Sequence, residues 1–311
     1  MDMKRIILGI VLLASYSMFA KSANDNFEMQ TLKIDKKEIH YYLLKSQSNS
    51  SKELLVLIQG SDCKSVVNNQ NMIKNFRAVL PNSDVLLVEK TGLNAQIGQN
   101  GEEVSEDECP VEYMRNDSYF ERVDNYIAVL NQLKPQYQYI VLLGGSEGAI
   151  ITNIIASKVN FIDAAISLNG GGQFFINDVF YSIKKSVLPE EVDGAIEGFN
   201  QFANAVLHEH LEDNQFPSGH GQNWWYEALT IDNKKLLQGV HKPHLVIQTL
   251  ADTNVDVEGA KKMMDEVKNP NITYKTYSTL DHYFQNSQGN NQSSSVIKDI
   301  QDWYAGINKQ K

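Results

Sequence analysis

Short, unbroken apolar runs recur along this chain, and they restrict its fold more than any other feature. They lie at residues 54–58 (LLVLI), 85–88 (VLLV) and 139–143 (YIVLL), and the mostly apolar segments at 164–168 (AAISL) and 244–249 (HLVIQT) read as further strands. Runs this short fit strands better than helices. A strand that is apolar at every position is buried on both faces, as in a parallel sheet between two helical layers. The intervening segments carry helical periodicity at 68–80, 118–133, 149–157, 257–267 and 294–304. Pro81 closes the first of these and Pro135 follows the second, where Phe120, Val123, Ile127 and Leu130 form one apolar face. Residues 29–34 and 39–44 read as strands around a polar turn, a hairpin at the start, and 272–277 reads as the last strand. The alternation predicts an α/β fold, with one mostly parallel sheet covered by helices on both faces and antiparallel character at one edge.

Two stretches break this rhythm. Residues 91–117 form a long connection carrying Glu102, Glu103, Glu106, Asp107, Glu108 and Glu112. Residues 173–240 form a larger insertion with helical pieces and the segment GHGQNWW at 219–225, expected to be a helical cap. Both follow the C-terminal ends of strands, where open α/β sheets place ligands, and long connections in a compact domain are usually functional.

The 311 residues carry a formal net charge of −10, with 42% hydrophobic residues, a balance that suits a globular domain. An acidic surface argues against a nucleic-acid partner, whose phosphates call for a basic footprint. Residues 1–20 have the layout of a signal peptide: Lys4 and Arg5, then an apolar stretch from Ile6 to Ala14, then a short polar-to-small stretch ending at Ala20. That stretch falls short of the roughly 20 residues that span a bilayer. The expectation is an exported protein, periplasmic or secreted, with a domain over 21–311 and no stable membrane insertion after cleavage. Cys63 and Cys109 are the only cysteines and show no metal spacing. His208 and His210 lie two apart, which on a helix points them to different sides. Neither a metal nor another cofactor is expected.

The chemistry centres on Gly144-Gly145-Ser146-Glu147-Gly148, which sits between the run at 139–143 and an apolar helix. A Gly-x-Ser-x-Gly turn between strand and helix lifts its hydroxyl above the sheet edge and sets a helix N-terminus beneath it. A serine nucleophile needs a base, and the base needs an orienting acid. His282 follows the strand at 272–277, and Asp252 follows the strand at 244–249; Asp256 and Asp281 are the alternative acids.

These residues resemble the α/β-hydrolase superfamily from about Lys52 to Trp303, in particular its dienelactone-hydrolase and prolyl-oligopeptidase-like branches. The resemblance implies Ser146 as nucleophile, Asp252 (in LADTNV, 250–255) as acid and His282 as base. It likens residues 58–61 (IQGS) to the strand-end turn whose amide, that of Ser61, joins the amide of Glu147 in an oxyanion hole. Gln59 stands where many members have His, Ala149 where the peptidase branch often has Gly, and Asp256 where Pro is common. The activity implied is serine-dependent acyl transfer to water on a small-molecule ester. A prolyl-oligopeptidase-like peptidase or amidase is the rival, and a non-catalytic binding protein of the same fold is a third reading. Gln59, His220, Trp224 and Trp225 are the candidates for contact with substrate, although the tryptophan pair reads more readily as cap core. In the superfamily's strand order the strands preceding Cys63 and Cys109 are neighbours, which implies a Cys63–Cys109 disulfide. No oligomeric state follows from the sequence.

Overall fold

The computed structural model describes residues 27–47, 51–99 and 104–308. The expected signal peptide at 1–20, together with Glu102 and Glu103, lies outside them. Eight strands form one sheet in the order β1-β2-β4-β3-β5-β6-β7-β8. They are β1 (Glu28–Ile34), β2 (Lys37–Leu44), β3 (Glu53–Ile58), β4 (Asp84–Val88), β5 (Tyr139–Gly145), β6 (Ala164–Leu168), β7 (His244–Thr249) and β8 (Ile272–Tyr277). The opening hairpin pairs antiparallel and joins β4 antiparallel, and every later pairing is parallel. The fold class expected from the apolar runs is the one observed.

The inner strands are buried on both faces because each face meets its own layer. Leu54, Val56 and Ile58 of β3 join one buried cluster with Ile140 and Leu142 of β5. Leu55 and Leu57 join the opposite cluster with Val141 and Leu143. On the first face lie α3 (Tyr119–Leu133) and α4 (Glu147–Lys158), and on the second lie α1 (Gln70–Phe76) and α10 (Ser293–Asn308).

Three helical expectations need correction. The segment 68–80 is not one helix, because Asn69 caps α1 by accepting from the Met72 amide, and the chain tightens into a 3-10 turn (Arg77–Val79) ahead of Pro81. The buried face of α3 is Tyr119, Val123, Tyr126, Leu130 and Leu133, with Phe120 exposed, so the true stripe lies one position away from the one expected at its start. Tyr119 and Tyr126 are buried by their ring bodies, which binary patterning undercounts. The connection 91–117 also holds a short helix, α2 (Val111–Asn116).

The insertion 173–240 folds as α5 (Phe175–Ser186), α6 (Val192–His208), α7 (Gln222–Thr230) and α8 (Asn233–Gln238). Trp225 packs in it against Phe175, Phe199 and Phe202, and both tryptophans belong to the same buried cluster as the sheet. The insertion is thus built into the first layer rather than resting on it. Cys63 and Cys109 form a disulfide, made possible by the parallel pairing of β3 with β4.

Candidate active site

Ser146 stands between β5 and α4 with φ 55° and ψ −127°. A non-glycine residue in that region is strained and persists only where its surroundings enforce it. Two neighbours do so. A Cβ on Gly144 would meet the Gly148 carbonyl oxygen at 2.1 Å, and a Cβ on Gly148 would meet the Ile58 carbonyl oxygen at 2.2 Å. Gly145, at the variable position, has no such contact within 3.9 Å. The two motif glycines therefore let the end of β3, the end of β5 and the start of α4 converge. The Ser146 amide donates to the Leu168 carbonyl at 2.8 Å, which carries the β5–β6 pairing into the turn.

The β7–β8 pairing runs on past the strands in the same way. The amides of Leu250 and Ala251 donate to the carbonyls of Tyr277 and Leu280 at 2.9 and 3.0 Å, which brings the two following loops together. His282 Nδ1 lies 2.6 Å from Asp252 Oδ2, and the Asn254 amide donates to Asp252 Oδ1 at 2.7 Å. A carboxylate only accepts, so the arrangement places the proton on Nδ1 and leaves Nε2 as the acceptor. The alternative acids are occupied elsewhere. Asp256 caps α9 (Val257–Glu266) by accepting from the Gly259 amide, and Asp281 accepts from the amides of Tyr283 and Gln285.

The turn at 59–62 faces the elbow: a Cβ on Gly60 would lie 3.6 Å from the Ser146 Cβ. Beneath it is a buried polar cluster. Arg122 pairs with the Glu147 carboxylate through Nη1 and donates to the Gln59 carbonyl through Nη2 at 2.6 Å. Lys90 Nζ donates to the Asp62 carbonyl at 2.7 Å, and the Tyr113 hydroxyl donates to the Ser61 carbonyl at 3.0 Å. His220 Nδ1 lies 3.1 Å from Asp117 Oδ2, and its ring stacks on Trp224. Burial works against the Arg122 charge, but Glu147 and Asp117 more than offset it and hold the guanidinium above its ordinary value. Burial and the nearby Arg122 push Lys90 down. Asp117 sits at about 2, because His220, Lys90 and Arg122 overcome the burial that would raise it.

Four expected substrate contacts are placed inside instead. Gln59 is 1% exposed and spends its side-chain amide on the Asp62 carboxylate and the Lys64 carbonyl. His220 is buried against Asp117. Trp224 Nε1 donates to Glu147 Oε2 at 2.7 Å, and Trp225 Nε1 donates to the Pro217 carbonyl at 2.9 Å. Each is a polar group in the interior that has to find its partner there. Ser61 is exposed beside the elbow, and Glu147 begins α4. Asp117, Glu147 and His220 bring ligand-type atoms within 4.8 Å of one another, but Arg122 and Trp224 take the two Glu147 oxygens and His220 takes Asp117 Oδ2. Those oxygens are used in pairs internal to the protein, and Asp117 Oδ1 is left buried without a hydrogen-bond partner among the described residues.

Sequence reasoning passed over Arg122, Lys90, Tyr113, Asn169 and Asp178. Asn169, at φ 51°, donates to the His282 carbonyl at 3.0 Å and accepts from the Thr249 amide at 2.9 Å, tying three strand ends together. Asp178, on α5, accepts from the amides of Gly172 and Asp256, and burial pushes it up to about 7 against those donors. The one available signal was Arg122, a charge three residues after Tyr119 within an apolar stripe.

Residues 117–271 match the family described as BAAT / acyl-CoA thioester hydrolase C terminal. No curated protein sequence matches the chain. Among solved structures it is similar to Est1E from Butyrivibrio proteoclasticus, at 14% identity and a TM-score of 0.57 over 89% of this chain and 98% of that one. It is similar to a lipase-esterase related protein from Clostridium acetobutylicum at 19% identity and a TM-score of 0.54, over 85% of this chain and 98% of that one. An acylaminoacyl peptidase from Pyrococcus horikoshii shares 13% identity at a TM-score of 0.55, over 90% of this chain but 41% of the peptidase.

Proposed function

We propose that this chain, which has the α/β-hydrolase fold and matches an acyl-CoA thioester hydrolase family over residues 117–271, is an exported serine hydrolase that cleaves a small-molecule carboxylic ester through Ser146, His282 and Asp252. One observation carries the reading: a strained Ser146 at the strand-to-helix turn shares its sheet edge with a His282–Asp252 pair held at 2.6 Å. His282 Nε2 takes the Ser146 proton as Oγ bonds to the acyl carbon. Asp252 holds the Nδ1–H tautomer and stabilises the imidazolium that forms. The amides of Glu147 and Ser61 receive the oxyanion; losing one such donor costs on the order of 3 kcal/mol in the transition state. The imidazolium then gives its proton to the leaving alcohol. Water, deprotonated by the same nitrogen, releases the acid and restores Ser146.

Export rests on the signal-peptide layout of residues 1–20 and on the Cys63–Cys109 disulfide, a bond that persists in oxidising compartments. Among the described residues no helix is long and apolar enough to cross a membrane. The ester reading is tested with p-nitrophenyl esters of graded acyl length beside acyl thioesters and aminoacyl p-nitroanilides. Turnover of esters well above both others is expected. Faster turnover of the anilides would move the assignment to the peptidase branch, and faster turnover of thioesters would move it to thioester hydrolysis.

A further inference from the structure

The buried cluster under the elbow touches the candidate oxyanion hole at both of its halves. Arg122 is the group that does so alone: one arm of its guanidinium holds the carboxylate of Glu147 and the other the carbonyl of Gln59. Glu147 carries one of the two amides assigned to the oxyanion. Gln59 opens the turn that carries the other, on Ser61. Only a planar fork with donors on separate nitrogens satisfies both acceptors from one side chain. Beyond Gln59, the same turn is held at the Ser61 carbonyl by Tyr113 and at the Asp62 carbonyl by Lys90. The peptide units on either side of Gly60–Ser61 are therefore anchored from within, and the unit bearing the Ser61 N–H is left little freedom.

We propose that Arg122 is a positioning residue that fixes the spacing of the two oxyanion amides, with Tyr113 and Lys90 seating the rest of the 59–62 turn. This rests on the serine-hydrolase reading. Arg122 touches neither substrate nor the reacting atoms. It acts by making the hole the right size before charge develops, which is when preorganised donors are worth most. The cluster is balanced for the purpose, since the carboxylates of Glu147 and Asp117 face the charges of Arg122 and Lys90. Cys63, bonded to Cys109, pins the far end of the turn.

The test compares wild type with Arg122→Lys, which keeps a charge beside Glu147 but cannot serve both acceptors, and with Tyr113→Phe, which removes a single hydroxyl. A trifluoromethyl ketone that forms a hemiketal with Ser146 reports on the hole, and the matching secondary alcohol reports on ground-state binding. For Arg122→Lys a fall in kcat of about 10- to 100-fold at nearly constant KM is expected, with a parallel loss of affinity for the ketone and none for the alcohol. Tyr113→Phe should show the same pattern at about 3- to 10-fold, and it covers the case in which Arg122→Lys does not fold. Wild-type kcat in the folded variants, or equal losses for ketone and alcohol, overturns the proposal. Failure of the wild type to hydrolyse any ester or to bind the ketone covalently would instead overturn the serine-hydrolase reading itself.

Discussion

The two sides of the elbow are built from opposite materials. On the oxyanion side, carbonyl groups meet Arg122, Lys90 and Tyr113, the Glu147 carboxylate meets the Arg122 guanidinium and that of Asp117 the His220 ring, and a disulfide closes the turn. On the base side, Asp252 meets the His282 ring and accepts from the Asn254 amide, Asp178 accepts from the amides of Gly172 and Asp256, and Asn169 is the tie. Under the proposed mechanism, the contrast follows the charge that each side has to receive. An oxyanion needs fixed donors whose own charges are already neutralised. An imidazolium needs carboxylate nearby, and crowding carboxylates in the interior raises their affinity for protons.

The largest effect that can break this comparison lies in the Asp252–His282 pair. Asp252→Asn should leave the circular dichroism unchanged and lower kcat by about 10⁴-fold, because it favours the wrong imidazole tautomer. A greater loss from Asp256→Asn, the cap of α9, would move the acid elsewhere. Next is the disulfide. Its sequence separation of 46 gives about 4 kcal/mol in the chain-entropy model, so reduction should lower the urea midpoint strongly. Thiol counting on the purified protein should find no free thiol before reduction, and two free thiols would remove the bond.

A smaller effect sharpens the base side. Asp178 rises from 3.8 to about 7 as burial outweighs its amide donors. The folded state then keeps a proton that the unfolded state has released. Its contribution to stability is complete below pH 3.8 and drains away as pH rises through about 7. Between pH 5 and 8 the loss is about 3 kcal/mol, at 1.36 kcal/mol per pKa unit. Asp178→Asn should flatten that part of the stability profile relative to wild type. Identical slopes in the two proteins would contradict it. The smallest effect tests the oxyanion side: Trp224→Phe removes the donor to Glu147 Oε2 and should cost about 2 kcal/mol, read from the shift in urea midpoint. No shift would mean that Arg122 alone suffices to hold Glu147.

The base side was legible in the sequence and much of the oxyanion side was not. The strands at 164–168, 244–249 and 272–277 appear at their expected bounds, because apolar runs and turn residues mark them locally. Asp252 and His282 could be found by their distance from strand ends. Arg122, Lys90 and Asp117 could not, since a buried charge is tolerable only with its partner, and the partner is supplied by the tertiary fold. For the same reason Gln59, His220 and Trp224 read as substrate contacts: polar and aromatic residues near a site look alike whether they face it or support it from behind. The shift in the α3 stripe has a simpler origin, in the two tyrosines that bury their rings.

The most direct measurement of the central claim is labelling with a fluorophosphonate, followed by mass-spectrometric location of the adduct. One adduct is expected, on Ser146, and none in Ser146→Ala, whose ester hydrolysis should fall by at least about 10⁴-fold. An adduct that persists in Ser146→Ala, or a wild type that hydrolyses esters without being labelled at Ser146, would contradict it.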